Sequence, residues 1–183
     1  TEGLPADYTF DPTTDKGIHT FPPPDPVIFR RAGTDRYIKV EDKTDDTVYG
    51  LQTDITVNPA DPKKLQVLLP GEASSPGTAS GKLGIPSEQT AGITFNVIVN
   101  ATDKYWNVNS STEPTVKVTT SDPNDTDPGD YTLTGGSATV SVTMVTGGEW
   151  EIKAVDYGLI LDTATSSLVK INPASATKLQ IIV

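Results

Sequence analysis

The sequence predicts an all-β protein built from two-layered sandwiches, and three observations lead to this prediction. Apolar and polar residues alternate in short runs, as they do in strands that bury one face. The 183 residues include 27 threonines, 15 glycines and 15 prolines, a composition typical of strands separated by tight turns. No stretch has the periodicity of an amphipathic helix. A helical fold is therefore not expected.

Six strands follow from the period-two pattern, and a seventh is expected near Tyr131–Leu133. The longest of them should bury a face formed by Ile93, Phe95, Val97, Val99 and Ala101. Its polar residues, Asn100 among them, should point outward. The other five alternations are Leu65–Leu69, Val116–Val118, Val140–Met144, Trp150–Ala154 and Val169–Ile171. Seven strands are the number found in an immunoglobulin-like sandwich.

An internal repeat organises the chain. Val57-Asn58-Pro59-Ala60 and Lys64-Leu65-Gln66-Val67 return as Ile171-Asn172-Pro173-Ala174 and Lys178-Leu179-Gln180-Ile181, at a constant offset of 114. Further upstream, Leu4–Phe10 matches Asp127–Leu133 at an offset of 123. The first copy therefore holds nine extra residues, and we expect them to include the insertion Pro22–Pro26.

The repeat predicts immunoglobulin-like domains in tandem, divided into three segments. Residues 1–60 form the C-terminal half of one repeat with the insertion near 22–26, residues 61–174 form a complete repeat, and residues 175–183 form the first strand of a following repeat. Thr1 is not an initiator methionine, so we expect a processed or excised chain. Because half a sandwich exposes strand edges, we also expect another piece of polypeptide to complete it.

The composition excludes several classes of function. A net charge of −10 disfavours nucleic acid and anionic lipid as partners, and no apolar run approaches the roughly 20 residues of a membrane-spanning helix. The chain has no cysteine and one histidine, so thiol chemistry and the commonest zinc sites are excluded. His19 has no catalytic partner at a recognisable spacing and is expected to be a strand residue. We therefore predict that the protein is not an enzyme and requires no cofactor.

Four blocks carry a resemblance to a known family: Lys64–Val67, Gln89–Ile93, Val99–Asp103 with Trp106–Val108, and Gly148–Ala154. They resemble the tandem bacterial immunoglobulin-like repeats of large surface proteins, most nearly those of the invasin and intimin type. The sequence differs from the Asp-x-x-Gly-Asn turn of that type at Lys104-Tyr105-Trp106. The resemblance implies an extracellular or cell-surface spacer, stalk or adhesin shaft, in general without catalysis.

An acidic loop is the candidate metal site. Residues 121–130 contain four carboxylates, Asp122, Asp125, Asp127 and Asp130. Oxygen ligands at this density suit Ca²⁺, although their spacing is not that of an EF-hand. The alternative is a solvated acidic turn. The loop therefore leads to a hypothesis of calcium binding that geometry has to support.

Two further kinds of site are candidates. The sequons beginning at Asn100, Asn109 and Asn124 could accept N-linked sugar, although such triplets also arise by coincidence in a chain rich in Thr and Ser. The apolar terminal segment could join subunits by strand donation and consists of Lys178, Leu179, Gln180, Ile181, Ile182 and Val183. Six residues cannot replace half a repeat, so a longer parent chain is the simpler interpretation.

These observations predict a structural module of a prokaryotic extracellular stalk, filament, surface-layer or adhesin protein, whose partners are neighbouring repeats or identical subunits. The alternative is a module of a secreted adhesin, hydrolase or phage virion that binds glycan or a host surface protein. In that alternative, Tyr105 and Trp106 stack on sugar. The competing expectation places Trp106 in the sandwich core and treats Pro70–Pro86 as a flexible or edge-hugging connector.

Overall fold

The computed structural model describes residues 3–21, 27–179 and 181. These residues form strands and turns without a helix, which confirms the all-β prediction. In the same part of the chain, no helix is long and apolar enough to cross a membrane. The chain divides into two compact units, unit 1 (Thr1–Asn58) and unit 2 (Pro59–Val183). The expected insertion at residues 22–26 lies outside the described residues.

Unit 1 contains one antiparallel ribbon, formed by β1 (Gly33–Glu41) and β2 (Tyr49–Val57). The segment before β1 contains an isolated antiparallel β-bridge between Gly3 and Ile28. The expectation that His19 is a strand residue is wrong. His19 lies in a loop, where its ring stacks on Tyr8 with the ring centroids 3.3 Å apart. The stacking partner of this residue lies 11 positions earlier in the same stretch without strands, so alternation along the chain could not reveal it.

Unit 2 contains twelve strands among the described residues, and they include all seven that the sequence predicts. In chain order they are β3 (Lys64–Leu68), β4 (Glu72–Ser74), β5 (Lys82–Gly84), β6 (Gln89–Thr90), β7 (Phe95–Thr102), β8 (Thr115–Thr120), β9 (Gly129–Thr132), β10 (Ser137–Val142), β11 (Gly148–Trp150), β12 (Ile152–Asp156), β13 (Ala164–Thr165) and β14 (Val169–Asn172). The predicted strand at Trp150–Ala154 is divided at Glu151 into β11 and β12.

The strands of unit 2 form an immunoglobulin-like β-sandwich. One layer has the order β10–β7–β3, and the other has the order β13–β12–β8–β9. A third sheet, β11–β14–β6, joins β14 to β6 in parallel, and β4 pairs with β5 in a small hairpin. The antiparallel pairs account for the alternating sequence pattern, since each inner face is buried and each outer face is more polar.

The core of unit 2 lies between the two layers. The most completely buried side chains include Leu65, Val97, Val118, Val140 and Ile152, each at most 1% exposed. Burying side chains of this size stabilises the fold by roughly 1.5–3 kcal/mol each before chain entropy is subtracted. The alternation thus identifies the residues that hold the sandwich together.

The predicted inner face of β7 is wrong at its first residue. Ile93 is 61% exposed, because β7 begins only at Phe95 and Ile93 belongs to the preceding turn. There the Ile93 N–H donates to the Thr90 carbonyl. The period-two pattern continues through the turn by coincidence, so it extends the predicted strand by two residues.

The sequence predicts that Asn100 points outward from β7. In the structure its side chain is buried. Its Nδ2 donates to Gln66 Oε1 at 3.1 Å, and Ser137 Oγ donates to its Oδ1 at 2.7 Å. Gln66, itself buried, donates from Nε2 to the Gly81 carbonyl at 2.9 Å. The segment 70–86 therefore covers the outer face of β3 and β7, and it contains the β4–β5 hairpin. It is a cover for this face as well as a connector.

Candidate functional site

The acidic loop is organised around Asp122, which is buried. Asp122 Oδ2 accepts hydrogen bonds from the N–H groups of Val145 and Thr146, each at 2.8 Å, and its Oδ1 accepts one from Asn124 N–H at 3.0 Å. Burial raises the pKa of this carboxyl, but the hydrogen bonds from Thr146, Asn124 and Val145 together hold the pKa below its ordinary value. Asp122 is therefore ionised, and its hydrogen bonds connect the acidic loop to the loop that contains Val145 and Thr146.

The other three carboxylates of the loop also accept hydrogen bonds, two of them from Thr120. Asp127 Oδ1 accepts from Thr120 N–H at 2.9 Å, Asp125 Oδ2 accepts from Thr120 Oγ1 at 2.7 Å, and Asp130 Oδ1 accepts from the Tyr157 hydroxyl at 2.8 Å. Burial raises the pKa of Asp125. Within residues 3–21, 27–179 and 181, no three His, Cys, Asp or Glu side chains are grouped so that they could hold a metal ion. Calcium binding stays a prediction.

The three sequons differ in accessibility. Asn100 is buried in the network with Gln66 and Ser137, and Asn109 is buried with its Nδ2 donating to the Ala60 carbonyl at 2.9 Å. Asn124 is exposed, and its Nδ2 donates to a threonine hydroxyl. Among the three positions, only Asn124 therefore presents its amide at the surface. Glycosylation itself stays a prediction.

The Asp103 turn fixes the start of unit 2. Asp103 is 1% exposed, and its carboxylate accepts from the N–H groups of Tyr105 and Asn107 and from Asn107 Nδ2. The same carboxylate accepts from Ala60 N–H at 3.0 Å, while Asn109 holds the Ala60 carbonyl. The sequence places Ala60 in a link between repeats. The structure attaches that link to unit 2 through both of its backbone polar groups.

Trp106 does not lie in the sandwich core, contrary to the expectation. It is half-buried at a φ of 71°, and its Nε1 donates to the Ala79 carbonyl at 3.2 Å. The Lys64 ammonium lies 3.3 Å from the ring centroid, and a Cβ placed on Gly81 would come within 2.2 Å of the indole. The Trp106 ring therefore packs against the segment 70–86. The tryptophan that packs against the core is Trp150.

The terminal segment is only partly described. Lys178 and Leu179 lie outside any strand, and Leu179 and Ile181 are exposed. Gln180, Ile182 and Val183 lie outside the described residues. Strand donation by this segment stays a prediction.

The β1–β2 hairpin of unit 1 recurs in unit 2. The pairs Arg36↔Ile55, Lys39↔Leu51 and Val40↔Gly50, each moved by 114 positions, are the pairs Trp150↔Val169, Lys153↔Thr165 and Ala154↔Ala164. Even the irregularity recurs, because β1 shifts register between Arg36 and Ile38 where unit 2 divides β11 from β12. The sequence repeat is thus also a repeat of strand register.

The two copies of the hairpin differ in burial. Ile152, Ala154 and Val169 have no exposed surface in unit 2, whereas Val40, the counterpart of Ala154, is 60% exposed. The same contrast appears at the offset of 123, where buried Leu133 corresponds to half-exposed Phe10. Ile38 and Ile55, the counterparts of Ile152 and Val169, are half-buried, so the face of unit 1 that corresponds to the core of unit 2 is partly open. Sequence analysis indicated this face only through the missing half of the repeat.

No family model matches the chain, and no curated protein sequence matches it. The chain is similar to a solved structure of a glycosyl hydrolase family 2 member from Bacteroides cellulosilyticus, with 10% sequence identity and a TM-score of 0.42. The similarity covers 74% of this chain and 17% of the other, so the chain spans about a sixth of the length of that protein. Similarity at this level does not establish a family.

Proposed function

We propose that the chain is a structural, non-enzymatic module of a prokaryotic extracellular stalk, filament, surface-layer or adhesin protein built from tandem immunoglobulin-like domains. The observation that carries this proposal is the hairpin that recurs at an offset of 114 with the same strand register. Repetition of one structural unit along a chain produces extended, load-bearing molecules. The partners of such a module are neighbouring repeats or identical subunits.

The strand arrangement of unit 2 supports a mechanical role. Its last strand, β14, pairs in parallel with β6 through Ile171↔Gln89 and Asn172↔Thr90. Its first strand, β3, makes a parallel bridge between Lys64 and Asp162. Tension along the chain acts on the first and last strands. Because parallel neighbours then slide past each other, their hydrogen bonds must break together, which requires more force than opening them one at a time.

The link at the start of unit 2 supports the same role. Pro59 restricts the backbone, and Ala60 is held by Asp103 and Asn109. A link fixed in this way transmits tension to the sandwich with little slack. The net charge of −10 favours solubility of an extended array. The glycan-binding alternative has no comparable support, because Lys64 and Gly81 pack against the Trp106 ring that it requires.

Single-molecule force spectroscopy tests this proposal. The intact chain is stretched from its two ends, and unit 2 should unfold in one discrete event. The strands from Lys64 to Asn172 span 109 residues, so the contour length should increase by about 360–390 Å, less the folded end-to-end distance.

A second pulling direction is the control. Thr115 and Thr132 face each other at the open end of the β8–β9 pair, and both are exposed. Because the chain has no cysteine, Thr115→Cys with Thr132→Cys provides two specific handles. Pulling there opens the ladder one bond at a time and should need several-fold less force than pulling from the ends. Equal forces in the two directions, or no discrete event from the ends, would contradict the proposal.

A further inference from the structure

We propose that unit 1 carries an acceptor surface for a polypeptide segment with the strand pattern of β3, β7 and β8, the front half of a repeat of this kind. The surface consists of the free edge of β1 and the exposed apolar side chains of unit 1. The inference rests on the proposed tandem construction, and it names the partner that unit 1 binds. Four steps lead to it.

The first step is the edge of β1. In the described part of unit 1, β1 and β2 form a two-stranded sheet, so only one edge of β1 is paired. Its counterpart β12 is paired on both edges, with β13 and with β8. A strand edge with unpaired N–H and C=O groups is a template for another strand. The edge of β1 that corresponds to the β8 side of β12 is the acceptor.

The second step is the register. In unit 2, β8 runs antiparallel to β12 with the pairs Ala154↔Val118 and Asp156↔Val116. Moved by 114 positions, these pairs set Val118 opposite Val40 and Val116 opposite Asp42. Both valines are completely buried in unit 2. A strand that enters unit 1 in this register therefore brings its apolar residues to the open face.

The third step is the apolar face itself. Val40 of β1 is 60% exposed, and Tyr8 and Phe10 keep 39% and 53% of their surface exposed although both rings pack against His19. At the corresponding positions of unit 2, Tyr131 packs against the core and Leu133 and Ala154 have no exposed surface. In unit 2 these positions are covered by β3, β7 and β8, which contribute Leu65, Val97, Val99 and Val118 to the same core. The covering segment that fits unit 1 is of the same kind.

The fourth step is charge. In unit 2, Lys117 of β8 lies opposite the uncharged Val155. The residue that corresponds to Val155 in unit 1 is Glu41, which is exposed and paired with Lys39. A β8-type strand in the same register brings its lysine opposite this carboxylate, and opposite charges across a ladder are favourable. The terminal segment from Lys178 corresponds to β3 and does not supply this strand.

Disulfide trapping tests the acceptor and its register. The chain has no cysteine, so Glu41→Cys creates a single thiol on the edge of β1. The probe is a synthetic peptide of residues 112–122 with Lys117→Cys, mixed with the intact chain in a glutathione buffer. Mass spectrometry measures the rate of mixed-disulfide formation. We expect this rate to be at least tenfold higher than with a peptide that keeps Lys117 and carries Thr119→Cys.

Two matched controls complete the experiment. A chain with Val155→Cys presents the equivalent position of unit 2, where β8 already occupies the edge, and it should react at the slow rate. A Lys117→Cys peptide that also carries Val116→Asp and Val118→Asp should form the mixed disulfide at the slow rate, because its inner face no longer fits the apolar surface. A result in which every combination reacts at the same rate would overturn the proposal.

The same disulfide-trapping experiment would also detect a different occupant of the acceptor surface. If Glu41→Cys chains linked to each other faster than to the peptide, a second copy of the chain would be the occupant, and the partner proposed here would be wrong. The outcome is separate from that of the force measurement, which reports on the strands of unit 2. Failure of the peptide to react above the controls, with a high unfolding force for unit 2, would overturn only the acceptor.

Discussion

The hairpin of unit 1 and the equivalent hairpin of unit 2 share their register from Arg36 and Trp150 onward, together with the irregularity that follows, but they differ in burial. In unit 2 the inner residues Ile152, Ala154 and Val169 are completely buried. Of their counterparts in unit 1, Ile38 and Ile55 are half-buried and Val40 is exposed. Local sequence is therefore sufficient to define the pairing of two neighbouring strands, while burial depends on strands from elsewhere in the chain. The comparison separates these two contributions within one molecule.

The largest expected difference is at the inner face of the two hairpins. Ile152→Ala should destabilise unit 2 by about 3 kcal/mol, because it leaves a cavity in a packed core. Ile38→Ala at the equivalent, half-buried position should change the free energy of unfolding of unit 2 by less than about 0.5 kcal/mol. Both tryptophans lie in unit 2, so urea denaturation followed by tryptophan fluorescence reports on that unit.

An equal shift of the fluorescence midpoint for both alanine variants would break this comparison. It would mean that the two units unfold as one cooperative body. A midpoint unchanged by Ile38→Ala, together with a large shift for Ile152→Ala, would sharpen it, because the stability of unit 2 would then be independent of the packing of unit 1.

A smaller difference is expected at the turn that follows the inner strand. Asp156 is buried and accepts from the N–H groups of Gly158, Ile160 and Leu161. Its counterpart Asp42 is exposed and accepts from Thr44 and its neighbour. Asp156→Ala should cost unit 2 about 2 kcal/mol, because it leaves buried donors unpaired. Asp42→Ala should leave the fluorescence midpoint unchanged in the same measurement.

Asp156→Asn is the control for the turn. Asp156→Asn keeps an acceptor oxygen of similar shape, so it should restore part of the stability lost in Asp156→Ala, and a serine should restore less. If alanine and asparagine were equally destabilising, the hydrogen bonds to the buried donors would not be the reason for the loss.

The smallest expected effect is a dependence on pH. The pKa of Asp122 in the folded state lies below its ordinary value of 3.8, so its contribution to stability is complete above that value. The contribution is lost as the pH falls from about 4 through the lower, folded-state pKa. The fluorescence midpoint of unit 2 should therefore fall in this window, and it should fall less in Asp122→Asn. An identical pH dependence for both chains would contradict this assignment.

The period-two alternation predicted the strands because it depends only on residues that are two positions apart in the sequence. Val97, Val99 and Val118 have the inward positions that the pattern gave them. The register of the repeated hairpin could likewise be anticipated from the constant offset, since β1–β2 and its counterpart in unit 2 keep the same spacing. Local information was sufficient for these features.

The errors have the opposite origin. Asn100 is buried because the segment 70–86 covers the outer face, and Trp106 leaves the core because the same segment receives its ring. Neither contact follows from alternation, since each joins residues that are far apart in the chain. The four carboxylates of the acidic loop are close in sequence, yet Asp122 and Asp130 bond to residues on different strands and loops. Spacing alone could not assign those partners.

The parallel pairing of β6 with β14 also determines when a domain of this kind can fold. Gln89 and Ile171 are 82 positions apart in the sequence, and pairings over such distances form slowly. During translation, the core cannot close until β14 has left the ribosome, although β3 and β7 emerge much earlier. In the proposed tandem array, each new front half would therefore have unpaired edges until its back half is synthesised, and the rate of translation would set how long it is exposed to pairing with the wrong neighbour.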